Sequence, residues 1–355
     1  MISPKPIPTL GPERRLPIEG TEGLYMRVAD DLRRAVVFFG FADSAAVGGI
    51  ACVGTGFLVT YEGQGYLVTC GHLARPLESV PFLIRVNRND GGSQNLPADG
   101  MKWFHHPDPS VDVSISPLWL PILPQLSVKY IEGENIILDP RSFILGDIGV
   151  GNATYTIGLF RLMSGQKRNL PIVHYGSIAM VPSDEKIPVR DWLAPAGVKR
   201  TRFVEGYLVE SQSLGGLSGS PVFVRPDFGL KGLPQDHKVP MRTGADGVIV
   251  LGIWQGAWDS PPDEVMAAEH GKEARVPVGV GIVIPGHRIK EVFDMDDVKA
   301  HRDEARRRRE NLGAADLNSA FPAKPSLPST DANPTHREDF TRLVGAAARK
   351  PPQED

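Results

Sequence analysis

The sequence predicts an all-β protein of two packed β units, and three observations carry that expectation. Short apolar runs recur in two sets of about six, each bounded by Gly, Asn, Asp or Pro. The 38 glycines and 32 prolines supply many turn positions. Helical periodicity is scarce before residue 287. With 355 residues, 41% of them hydrophobic, the chain has apolar mass enough for such a core.

Taken in order, residues 1–33 form an irregular N-terminal arm. Residues 34–120 make the first unit, from RAVVFFGF (34–41), IACVGTGFLVTY (50–61), GYLVTCGHLA (65–74), PFLIRV (81–86), MKWFHH (101–106) and VDVSISPLWL (111–120). A hairpin turn is expected at Gln64-Gly65. The proline-spaced stretch 121–150 is a connector. Residues 151–297 make the second unit: NATYTIGLFRL (152–162), IVHYGSIAMV (172–181), FVEGYLVESQ (203–212), SPVFVR (220–225), GVIVLGIWQGAW (247–258), VGVGIVIP (278–285) and a closing helix. Residues 298–355 start as a charged, solvated helix and continue as a flexible tail. In that tail Thr335 and Glu338 form a capping box ahead of Phe340, Leu343 and Val344, and the tail as a whole is where a regulatory protein partner is expected.

Composition excludes several function classes. A net charge of −3 gives no field that draws nucleic acid, and Asp303, Glu304 and Glu310 offset Arg306 to Arg309. No apolar run reaches membrane-spanning length, and the N-terminus lacks the apolar stretch of a Sec-type signal, so a cytoplasmic location is expected. Cys52 and Cys70 are read as thiols on neighbouring strands rather than a bridge. No His/Cys spacing suits zinc, and no cofactor is implied; His105 and His106 are edge-strand or loop residues.

Three segments carry chemistry. His72 follows two β runs, Asp112 opens an apolar run, and Ser218 sits in a glycine-rich turn that feeds a strand. A serine hydroxyl becomes a useful nucleophile when a base takes its proton. Neutral imidazole suits that role, because its ordinary pKa of about 6.5 lies near working pH. A buried carboxylate fixes the tautomer and stabilises the imidazolium. Glycines around the serine allow backbone N–H groups to converge on an oxyanion. Asp108, between Pro107 and Pro109, is the rival to Asp112, but it suits an exposed turn. An α/β-hydrolase elbow is disfavoured, since Ser220 replaces the final glycine and Pro221 to Val224 continue as a strand.

The motifs G-T-G-F-L-V-T…L-V-T-C-G-H, V-D-V-S-I and G-L-S-G-S-P-V-F resemble those of trypsin-like serine peptidases, in the bacterial branch of that family. The resemblance covers roughly residues 34–290. It implies two six-stranded antiparallel β-barrels of the chymotrypsin-like type, with a cleft between them. It implies a serine endopeptidase acting on protein or peptide substrates, with His72, Asp112 and Ser218 as triad and the amides of Gly216 and Ser218 as oxyanion hole. It further implies substrate-binding roles for Gln212, Trp254, Gln255 and Gly256. The neutral Gln212 at the base of the primary pocket implies a preference other than Lys or Arg. Leu217 stands where zymogen-derived members carry an Asp, so activation by N-terminal cleavage is not implied. The alternative is a catalytically silent binding module on the same fold.

Overall fold

The computed structural model describes residues 28–46, 48–118, 125–133, 148–191, 194, 200–211, 215–225, 249–260 and 276–311. The N-terminal arm before residue 28 and the tail after 311, with its capping box, lie outside the described residues.

A short helix α1 (Asp30–Arg34) precedes the N-terminal sheet. Its strands are β1 (Val36–Ala42), β2 (Ile50–Tyr61), β3 (Gln64–Thr69), β4 (Leu83–Asn87), β5 (Ser93–Pro97), β6 (Phe104–His105), β7 (Ser114–Pro117) and β8 (Ile131–Glu132). Helix α2 (Gly71–Leu77) interrupts them after β3. The order is β5-β4-β1-β2-β3-β7-β6, and β8 pairs with β2 in parallel. The apolar run VVFFGF suits β1 because that strand lies between β2 and β4 and is buried on both faces. The polar strand SQNLP occupies the edge as β5.

The second series closes into a six-stranded antiparallel barrel. It contains β9 (Ala153–Gly158), β10 (Ile172–Met180), β13 (Tyr207–Glu210), β14 (Pro221–Val224), β15 (Ile249–Ser260) and β16 (Val276–Pro285). A separate hairpin pairs β11 (Ile187–Arg190) with β12 (Thr201–Val204). The all-β expectation holds: one closed barrel, a second sheet, and short C-terminal helices α3 (His287–Phe293) and α4 (Asp296–Asn311). The two sheets share a core in which Phe38, Phe57 and Leu67 pack with Ile157, Leu159 and Phe223. Each fully buried side chain of this kind stabilises the fold by roughly 1.5–3 kcal/mol.

Three expectations change. The hairpin turn sits on Glu62 and Gly63, whose φ angles are 47° and 74°; Gln64 and Gly65 are already paired in the β2–β3 ladder. His72 is the second residue of α2 rather than the end of a strand. The charged helix α4 is not wholly solvated. Val298 and Arg302 are buried, and Arg302 donates to the Phe293 carbonyl at 3.2 Å and pairs with Glu62 at 2.8 Å. Phe293 stacks on Tyr61 at 4.6 Å, so the C-terminal helices close over the N-terminal sheet.

Candidate active site

His72 and Asp112 lie in the N-terminal unit, His72 in α2 and Asp112 just before β7. Strand β3 ends at Thr69, and the chain turns at once into α2, which places His72 over the sheet. The carboxylate of Asp112 receives two bonds from this residue. The His72 main-chain N–H donates to Oδ1 at 2.7 Å, and the ring Nδ1 donates to Oδ2 at 2.5 Å. Both side chains are buried. An ionised carboxylate only accepts, so the tautomer that fits this pair has its proton on Nδ1, leaving Nε2 as the open ring nitrogen. Among the described residues, that buried Nε2 has no hydrogen-bond partner.

Asp108 behaves as a turn residue. Its carboxylate accepts from the Ser110 N–H at 2.8 Å, and that bond holds its pKa below the usual range. The two neighbouring histidines have definite partners. His105 bridges Ser114 and Glu78, and burial pulls its pKa down. His106 is buried and reaches Glu291 of α3 at 2.6 Å.

Ser218 lies in the turn between Gly215 and β14. Its Oγ donates to the Gln255 carbonyl at 3.1 Å, and the residue is 8% exposed. Gly216 and Gly219 have φ of 106° and 83°, a region that L side chains rarely adopt. A Cβ on Gly219 would lie 2.1 Å from the Thr55 carbonyl oxygen, so space and backbone both require glycine. The Gly219 N–H donates to the Trp254 carbonyl at 2.9 Å, and Trp254 N–H returns a bond to Ser220 at 2.8 Å.

The resemblance's substrate-binding residues divide. Trp254 is a core residue of the barrel, packed with Leu217, Tyr207 and Val283. Gln255 is the bulged residue of β15, since the register passes from Trp254↔Val283 to Gly256↔Ile282. That bulge brings its carbonyl to Ser218, while its buried side-chain Oε1 has no partner among the described residues. Gly256 follows on the same strand, and Gln212 lies outside the described residues.

Sequence reasoning missed Thr55. Its hydroxyl donates to the Gly216 carbonyl at 2.8 Å and accepts from Leu159 N–H at 3.0 Å. Its main-chain N–H donates to the Ser218 carbonyl at 3.1 Å, and its carbonyl accepts from the Thr69 hydroxyl at 2.8 Å. One residue of β2 thus ties the end of β3, which leads into α2 and His72, to the Ser218 turn. The signal was the threonine inside G-T-G-F, between two glycines on a buried strand.

Cys52 and Cys70 are both free thiols. Cys70 is fully buried, and its Sγ donates to the Trp254 carbonyl at 3.3 Å. Burial, with the Asp112 charge beside it, pushes this thiol well above its ordinary pKa. Cys70, His72 and Asp112 lie close enough to hold an ion between them. Asp112 is already committed to His72 through both carboxylate oxygens. Among the described residues, no helix is long and apolar enough to cross a membrane.

No protein-family model matches the chain, and no curated protein does. Solved structures similar to it include the Rv3671c protease from M. tuberculosis in its active form, 15% identical over 80% of this chain and 92% of that one, with a TM-score of 0.40. The inactive form of that protease is 17% identical over 74% and 89%, with a TM-score of 0.38. The HtrA-type protease AlgW with a decapeptide is 15% identical over 77% and 66%, with a TM-score of 0.39.

Proposed function

We propose that this protein is a serine endopeptidase in which His72 is the base, Asp112 orients it and Ser218 is the nucleophile. The observation that carries this reading is the buried His72–Asp112 pair, whose Nε2 has no partner among the described residues and whose His72 follows the β3 strand that Thr55 ties to the Ser218 turn. A histidine whose Nδ1 is fixed by a buried carboxylate has one basic nitrogen left, and a proton acceptor is what a nearby hydroxyl lacks.

In this reading Ser218 Oγ leaves the Gln255 carbonyl when a peptide enters. It gives its proton to His72 Nε2 as its oxygen bonds the scissile carbonyl carbon. The amides of Gly216 and Ser218 receive the oxyanion. The imidazolium, stabilised by Asp112, then protonates the departing amine as the C–N bond breaks. Water, deprotonated by the same nitrogen, hydrolyses the acyl-enzyme and restores the Ser218 hydroxyl. Apo hydrogen bonds in such sites are often not the catalytic ones, so the Ser218 to Gln255 bond suits a resting state.

The test is peptide-library cleavage by the full chain, with Ser218→Ala and His72→Ala as controls. Turnover should fall by about 10⁶ in each, and the double variant should be barely worse than either, because the residues act as a unit. Wild-type turnover matched by Ser218→Ala would remove the reading. A serine-directed phosphonate that fails to label folded wild type would favour a silent binding module instead.

A further inference from the structure

Arg85 of β4 is fully buried, yet among the described residues its hydrogen bonds reach no carboxylate. Its Nε donates to Ser93 Oγ at 3.0 Å, Nη1 to the Gly165 carbonyl at 2.9 Å, and Nη2 to the Gln166 carbonyl at 3.0 Å. The last two acceptors belong to the loop between β9 and β10 of the barrel. Two residues further along β4, the Asn87 side chain makes a reciprocal pair with the Asn169 main chain, at 2.7 and 3.1 Å. Asn169 in turn donates its side-chain amide to the Arg85 carbonyl at 2.7 Å. The N-terminal sheet therefore grips this barrel loop at two points, residues 165–166 and 169.

Burying a charge costs free energy, and a neutral side chain of the same size would fill the space without that cost. A guanidinium adds direction: two forked donors fix the orientation of two successive carbonyls. The held loop begins with a 3-10 turn, Arg161–Met163. The Arg161 N–H donates to the Gly215 carbonyl at 3.0 Å. A trans peptide is planar, with C=O and N–H on opposite sides, so this bond sets the direction of the Gly216 N–H. That N–H is one of the two donors assigned above to the oxyanion.

We infer that Arg85 is a positioning residue for the oxyanion turn, acting through loop 164–170 and the Arg161 amide on the Gly215–Gly216 peptide. The inference rests on the proposed peptidase function for its catalytic consequence. Its structural consequence stands apart from that function.

Arg161 allows a clean test. Arg161→Ala keeps the main-chain donor, whereas Arg161→Pro removes it. Proline suits this position, which opens a helical turn after an extended residue, Phe160 with φ −104° and ψ 109°. In the full chain, Arg161→Pro should lower kcat at least tenfold, up to the roughly 10²–10³-fold loss of an oxyanion donor. KM should hardly move, and affinity for a peptide boronic acid should fall in parallel with kcat. The pH midpoint should stay in place, because the His72–Asp112 pair is untouched. Arg161→Ala should resemble wild type, and Arg85→Met should follow Arg161→Pro with a smaller loss. If Arg85→Met does not fold, Asn87→Ala loosens the same loop in its place.

Amide hydrogen exchange of residues 215–219 provides a readout independent of turnover. It should quicken in Arg161→Pro and Arg85→Met but not in Arg161→Ala. Equal kcat and equal exchange in the proline and alanine variants would overturn the inference. Quickened exchange in Arg161→Pro and Arg85→Met, with no Ser218-dependent turnover in wild type, would keep the clamp and discard the peptidase reading.

Discussion

The segments carrying Asp112 and Ser218 both feed straight into a strand, yet they are held in different ways. The bonds that set Asp112 come from α2 in its own unit: His72 N–H and Nδ1 on the carboxylate, and Gly71 N–H on the main-chain carbonyl at 3.2 Å. The Ser218 turn is held from both sides of the interface: by Thr55 of β2 on the Gly216 and Ser218 carbonyls, and from its own barrel by the Arg161, Gln255 and Trp254 main chain. The His72–Asp112 pair is therefore held within its own unit, whereas the Ser218 turn takes part of its shape from the packing of the two sheets. Damage to the first should stay chemical and local. Damage to the second should couple activity to stability.

The largest expected effect tests the His72–Asp112 pair. Asp112→Asn keeps the shape of the acid but favours the wrong His72 tautomer, and kcat should fall by about 10⁴. Hydrogen exchange at residues 215–219 should stay as in wild type; quickening there would break the distinction between the pair and the turn.

Gly219→Ala addresses the Ser218 turn. The left-handed backbone alone costs about 1–3 kcal/mol for a side chain. The contacts with the Thr55 carbonyl at 2.1 Å and the Thr69 hydroxyl at 2.2 Å add to it. Thermal unfolding should show a clear loss of Tm together with loss of turnover. An unchanged Tm would mean that the turn relaxes freely.

A smaller effect is expected from Thr55→Val, which keeps the volume and removes the hydroxyl. The Leu159 N–H and the Gly216 carbonyl each lose a partner, at a cost of about 1–3 kcal/mol by denaturant unfolding. Because this residue belongs to β2, a fall in kcat from its loss would show that the N-terminal sheet shapes the Ser218 turn.

The smallest effect concerns the lid formed by α3. Burial pushes the carboxyls of Glu291 and Asp294 up, but hydrogen bonds from His106 and Arg288, and from Lys290 and Tyr61, leave both lowered. A carboxylate depressed in the fold contributes stability above its unfolded pKa, about 4, and loses it as pH falls through the folded value. Wild type should lose more Tm between pH 5 and pH 3 than Glu291→Gln. Equal losses would remove Glu291 from the acid response.

Much of this was legible in one dimension because the signals are local. Period-two apolar runs and turn residues mark strands, so the all-β class and most β segments followed from the sequence. His72, Asp112 and Ser218 were nameable because each stands in a short distinctive motif. The hairpin turn was misplaced by two residues because Glu62-Gly63 and Gln64-Gly65 present almost the same local cue. The helix α4 looked solvated because its few apolar positions conceal how Arg302 is used, as a buried donor over Tyr66 and Phe293.

What tertiary structure decided are the pairings between distant residues. Thr55 meets Gly216 across 161 positions, and Arg85 meets Gly165 across 80. Neither residue type advertises such a role in sequence, since a buried threonine and a strand arginine are ordinary in a β protein. Their function comes from main-chain carbonyls presented by another sheet. Which carbonyl a donor meets is set by strand register and sheet packing, and the identity of neighbouring residues does not carry that information. The sequence by itself singled out the candidate groups by their motifs, and the packing of barrel on sheet determined which backbone the buried donors hold in place.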